Sequence, residues 1–141
     1  MIRRMNLPDL HKPQGYHHVT ITDARSFVFL AGQCPLDVRG ALVGPGDLRA
    51  QTRQVARNIA VALRAVDAVP EDVVRTVIYV ASAERADLVL AWSTLCESEV
   101  AAAFGSASTL LGVAQLGYPG QLVEVDVTAA VAAQAPPATV A

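Results

Sequence analysis

Two carboxylates two residues apart, Glu124 and Asp126, stand near the end of the run SASTLLGVAQLGYPGQLVEVDVTA, residues 106–129. A carboxyl partly withdrawn from water holds its proton more tightly, so it can take a proton from a water molecule and pass one on. Glu124 is therefore a candidate general acid–base. The same spacing also describes a solvated strand carboxylate paired with Asp126. The hydroxyls of Ser106, Ser108 and Thr109 open the run. A serine hydroxyl hydrogen-bonds a ligand but does not offset its charge. The run has no Lys, Arg or His.

Titratable side chains near the start of the chain are the next candidates. In GYHHVTIT, Tyr16, His18, Thr20 and Thr22 alternate with His17, Val19 and Ile21. His18 then reaches whatever Tyr16 reaches, as a replacement cation or proton shuttle; a histidine at the surface or the core edge is the plainer reading. His17, on the apolar face, reads as structural. Two adjacent histidines without a third ligand are not a metal signature, and no metal is expected. Tyr118 in GYPG is either an aromatic lid or an ordinary turn residue. Cys34 and Cys96 are far apart, without CxxC spacing, and read as buried or idle thiols.

Recognisable elements must position these groups. HHVTIT and FVFLAGQ read as two strands across a short polar turn at DARS, a hairpin. Asp47 is suited to cap a helix in which Leu48, Thr52, Val55, Ile59, Ala62 and Val66 form one stripe, ending near Asp67. Arg49, Arg53 and Arg57 form a basic stripe, either a solvated face or a nucleic-acid patch. VVRTVIYVA is a β-branched strand. Residues 86–104 read as a second helix with Leu88, Trp92 and Leu95 inward, Trp92 being core more than ligand contact. Residues 106–129 supply two further strands joined by a Gly/Pro loop. In the last of them Val123, Val125, Val127, Ala129 and Val131 face one way, and Glu124, Asp126 and Thr128 the other. The order β-β-(β)-α-β-α-β-β is that of an α+β domain, one mostly antiparallel sheet with two helices on one face. The face without helices needs a cover, which predicts an oligomer.

With 141 residues, 52% of them hydrophobic and 17% charged, the chain is the size of one globular domain. It divides into an N-terminal arm (1–14), a domain (15–132) and an Ala/Pro tail (133–141) expected to be disordered. No apolar run approaches the roughly 20 residues of a membrane helix, and the start lacks the apolar core and cleavage site of a signal peptide. A cytoplasmic protein without a membrane partner is expected. The net charge of −2 argues against nucleic acid as a partner. All eleven Lys and Arg lie at or before Arg85, while Asp87, Glu97, Glu99, Glu124 and Asp126 follow it. Any cation in a site must come from the first part of the chain, a histidine, a metal or the substrate.

AQTRQVARNIAVALRAV followed by EDVVRTVIYVA, with GYHH, FLAGQ and LVEVDVTA, resembles the RidA (YjgF-like) family of enamine/imine deaminases over residues 15–131. The resemblance implies a chorismate-mutase-like α+β protomer, a barrel-cored homotrimer and small-molecule clefts between subunits, with no cofactor. Glu124 matches the carboxylate thought to handle water or proton, Gly32 the strand-end glycine facing the ligand, and Tyr16 a pocket-edge tyrosine. Ala31 and Leu110 stand where many members have serine and cysteine. Deaminating members carry at the position of Ser108 an arginine that pairs with the substrate carboxylate. A serine there loses a bidentate, charge-assisted contact roughly twice as strong as a neutral one.

Two functions remain open. One is hydrolysis of an enamine, imine or related metabolite other than a simple 2-iminocarboxylate, with Glu124 catalytic and Tyr16, His18, Gly32, Ser108 and Tyr118 binding substrate. A neutral, larger or more hydrophobic molecule suits a wall without cations. The other is a non-catalytic trimer that binds a small ligand or a protein. Ribonuclease activity, attached to the family by name, is least favoured by the acidic second half.

Overall fold

The computed structural model describes residues 1–23 and 26–132. The Ala/Pro tail and part of the turn at DARS lie outside the described residues. The strands are β1 (Ile2–Met5), β2 (Val19–Thr22), β3 (Ser26–Phe29), β4 (Val73–Val80), β5 (Ala107–Gly112) and β6 (Val123–Val131). The helices are α1 (Leu48–Ala65) and α2 (Arg85–Cys96). Short 3-10 turns at Pro70–Asp72 and Ala101–Gly105 lead into β4 and β5.

α1 starts where the sequence places it, with the Asp47 carboxylate accepting from the Ala50 N–H at 3.0 Å. Its buried face is Gln51, Thr52, Val55, Ala56, Ile59 and Leu63, turned from the expected stripe toward Gln51 and Leu63. Gln51 tolerates burial because its amide is satisfied. Its Nε2 donates to the carbonyls of Gly44 and Gly120, and its Oε1 accepts from the Leu122 N–H. Arg49, Arg53 and Arg57 are exposed, as a solvated stripe requires. α2 stops at Cys96, well short of the expected residue 104. The Ser98 hydroxyl donates to the Leu95 carbonyl and accepts from the Val100 N–H, giving the chain a local alternative to further helix.

The main sheet has the order β3-β6-β4-β5. β6 is antiparallel to β3 and β4, and β5 is parallel to β4. Two expected adjacencies are corrected here. β2 pairs with β1 rather than with β3, while β3 lies along the far end of β6, Phe29 opposite Thr128. β5 and β6 are likewise not a hairpin, because β4 runs between them. α2 carries the chain from β4 back to the start of the parallel strand β5, the crossover that such a pair requires. The N-terminal arm thus contains a strand, whose IRRM sequence shows no apolar alternation to reveal it.

Both helices cover one face of this sheet. Ile59 and Leu63 of α1, Ala91 and Leu95 of α2, Phe104 and the inward residues of β4 and β6 form one buried cluster. Full burial of each large side chain is worth roughly 1.5–3 kcal/mol. The opposite face carries Val77 and Tyr79 of β4, Glu124 and Asp126 of β6, and Phe27 and Phe29 of β3. The two phenylalanines lie with ring centroids 6.4 Å apart and are 50% and 76% exposed.

Candidate functional site

The expected site residues separate into two groups on opposite faces of the sheet. Glu124 lies beside Tyr79 on the face without helices, and Ser108 lies beside Thr76 on the helix side.

Around Glu124 the alternation of β6 decides direction: Val123 and Val125 are buried, so the carboxylate between them points away from the core. Its Oε1 accepts two hydrogen bonds, from Cys34 Sγ and from Gln121 Nε2, each at 3.1 Å. Its Oε2 lies against Gly32, where a Cβ would stand 2.5 Å away. The main chain reaches this position because Leu30 and Gln33 bond to Val127 and Val125 of β6, leaving Ala31 and Gly32 between them. Gly32 is needed for that close approach. Asp126 also comes near Gly32 and accepts from the Tyr79 hydroxyl at 3.1 Å, which commits it to the sheet. Burial, and then the bond to Glu124, pushes the Cys34 thiol up to about 11, so it is a neutral donor.

Around Glu124, sequence reasoning took Cys34 for an idle thiol and did not single out Gln121. Cys34 is held through its carbonyl by Asn58 Nδ2 of α1 at 2.9 Å. Gln121 is 4% exposed and also accepts from the Tyr118 N–H and donates to the Val123 carbonyl. Tyr118 itself is half exposed in the loop before β6, and Gln121 ties that loop to the carboxylate. The sequence offers only a glutamine three residues before a strand glutamate; its burial belongs to the fold.

The second group surrounds a cavity of about 500 Å³. Ser108 and Leu110 line it from β5, Val89 and Trp92 from α2, and Tyr16 from the segment before β2. Gly15, at φ +89°, turns the chain so that Tyr16 meets Trp92 edge to face, ring centroids 6.3 Å apart. Trp92 in turn stacks edge to face on Phe104, so it is both core and cavity wall. The Ser108 hydroxyl lies 2.5 Å from Thr76 Oγ1 and 3.3 Å from the carbonyls of Phe104 and Ser106. Its single proton already has partners within the fold.

Of the two adjacent histidines, only His18 is placed differently from expectation. His17 Nδ1 bonds the Gly105 carbonyl at 2.5 Å, the structural role anticipated for it. His18 precedes β2, accepts from the Leu7 N–H through Nδ1, and buries Nε2 without a partner among the described residues. It packs edge-on against His11, centroids 5.0 Å apart. His11, not His18, reaches the cavity, with Nε2 2.7 Å from the Tyr16 hydroxyl. Lys12 lines it too. The cavity beside Ser108 therefore has a cation, supplied by the first part of the chain, where the charge distribution of the sequence requires it to come from.

An α+β sheet covered on one side by two helices, with a carboxylate on its bare face and an aromatic cavity at its β5 edge, defines the class of protein. The family described as Endoribonuclease L-PSP matches residues 10–131. A Yersinia pestis protein of the conserved Rid family, YyfB, is 32% identical, with a TM-score of 0.81 over 92% of this chain and 98% of its own. A second solved relative, Rv2704 of Mycobacterium tuberculosis from the YjgF/YER057c/UK114 family, has a TM-score of 0.61 over 93% and 100% of the two chains; at 24% identity it supports the fold alone. A Pyrococcus horikoshii RutC family protein, PH0854, is 38% identical over 68 residues, 48% of this chain. That match spans about half of the relative's length, 53%. The chain belongs to the YjgF/RidA family.

Proposed function

We propose that the protein hydrolyses an enamine or imine in clefts formed between copies of the chain. The observation that carries this reading is the setting of Glu124: one oxygen is fixed by two donors, and the other faces the glycine backbone on an uncovered sheet face. In the reaction, Glu124 Oε2 takes a proton from water as the water oxygen bonds to the C=N carbon. The C=N electron pair moves to nitrogen, which is protonated. The C–N bond then breaks, ammonia leaves, and the hydroxyl loses its proton to become the ketone. Only water is consumed.

Tyr16, Ser108 and Gly32 place the substrate, with the Tyr118 loop at the rim and His18 behind His11. Because Ser108 and Glu124 face opposite sides of one sheet, a cleft containing both takes the β5 edge of one copy and the Glu124 face of another; a homotrimer provides three such clefts. The apolar wall of Val89, Trp92 and Leu110 suits a substrate larger than a simple 2-iminocarboxylate.

The test is to generate imines in situ, from aminoacrylate to branched and aromatic members, and follow their loss with and without protein. Acceleration greatest for the larger members, and lowered at least about 100-fold by Glu124→Gln, is expected for loss of a general acid–base. The internal partners of Ser108 favour a second reading, a trimer that binds a small ligand or a protein without catalysis. Saturable binding with no acceleration across the whole panel would establish it.

A further inference from the structure

The N-terminal arm is tied down on both sides of the cavity. Before it, β1 pairs with β2, Arg4 donates to the Val73 carbonyl, and Leu7 and Asn6 bond His18. After it, Tyr16 is packed on Trp92. The segment between must arch past the β5 edge, and this brings His11 and Lys12 to the cavity. No Asp or Glu lines the cavity among the described residues. Trp92, Val89 and Leu110 give the cavity an apolar wall, beside the neutral polar groups of Gln14, Tyr16 and Ser108. A positive end and an apolar body, with no acid to neutralise the lysine, are complementary to an amphiphilic anion.

We infer that Lys12 is the anchor for a carboxylate in this cavity, and that the ligand is an organic acid with a branched or aromatic apolar body. This rests on the reading of the cavity as the substrate-binding half of the cleft, and it names the substrate class. Lys12 offers one compact charge where a guanidinium would clamp both carboxylate oxygens. Orientation then falls to the apolar wall, so a short acid with nothing to place against Trp92 binds poorly. Tyr16, oriented by His11 Nε2, stands beside the same end of the ligand. Lys12 is a specificity-determining residue and takes no part in the bond changes at Glu124.

Trp92 is the one tryptophan of the chain, so its fluorescence reports occupancy of this cavity. The probes are the keto acid of leucine, its uncharged methyl ester, and pyruvate, titrated into the full-length protein at low and high salt. The expected result is saturable change with the leucine keto acid, about tenfold tighter than with the ester, and much weaker binding of pyruvate. Added salt weakens the acid and leaves the ester unchanged. Lys12→Gln brings the acid down to the ester's affinity, and Lys12→Arg keeps the difference. The proposal is overturned if the unmodified protein binds acid and ester alike, binds neither, or keeps its preference in Lys12→Gln. Hydrolysis separates the two readings. Lys12-dependent acid binding with no imine turnover leaves the anchor standing and removes the enzyme. Turnover of the leucine imine with a KM indifferent to Lys12→Gln removes the anchor and leaves the enzyme.

Discussion

Glu124 presents two oxygens to unequal surroundings, and the inequality makes it testable. Oε1 is held by Cys34 and Gln121, while Oε2 lies against Gly32. In Gly32→Ala the new methyl meets the end of a side chain rather than main chain, so stability falls by no more than about 1 kcal/mol. The carboxylate must turn away, however, and turnover in the imine assay drops far more than the melting temperature does. Cys34 gives a second check. Its thiol is raised to about 11 from 9.0, first by burial, so it stays protonated in the fold while an unfolded chain ionises near 9. The stability from this difference is complete below pH 9 and is lost as pH rises toward 11. Iodoacetamide labelling of Cys34 is accordingly slow at pH 8, where the thiolate is scarce. Glu124→Gln removes a cause of the shift and speeds labelling; an unchanged rate would break the link between the two residues.

At the scale of elements, α1 carries the most weight, since it closes the core and holds Cys34 through Asn58. Its Asp47 cap is worth about 1 kcal/mol, so Asp47→Ala lowers denaturant stability by that amount. Ile59, fully buried, leaves a cavity on truncation, and Ile59→Ala is expected to cost about 2–5 kcal/mol by the same measurement. α1 is legible from periodicity, down to its capping residue. The end of α2 is not, because propensity runs on through Ser98 and Glu99 while the Ser98 hydroxyl bonds locally. The pairing of β2 and β3 is illegible for a different reason. Two alternating segments near each other in sequence look like a hairpin whether or not a third strand, here β6, offers a longer apolar partner.

At the scale of the whole molecule, one sheet face carries no helix among the described residues, and Phe27 and Phe29 stand exposed on it. Exposed aromatics on a β-sheet mark an interface when they are contiguous with other apolar groups; Val77 and Tyr79 share this face. A trimer by light scattering is expected, with Phe29→Glu shifting it toward monomer. A native protein that scatters as a monomer would sink the intersubunit cleft.

Much of the fold follows from local pattern. Burial repeats every second residue in a strand and every third or fourth in a helix, so Val123 to Val131 and Thr52, Val55 and Ile59 announce their faces and Glu124 its direction. The resemblance added roles to Tyr16, Gly32, Ser108 and Glu124, but not their separation on two faces. That separation depends on β4 standing between β5 and β6, a long-range pairing no window of sequence contains. Lys12 is the clearest case. It is a solvent-exposed lysine in a polar arm by composition, and it becomes part of the cavity because pairing of β1 with β2 and the stacking of Tyr16 on Trp92 fix both ends of the arm. Local periodicity is short-ranged and survives in the sequence. Which cation meets which cavity is settled by contacts between distant segments, and only the folded chain contains those.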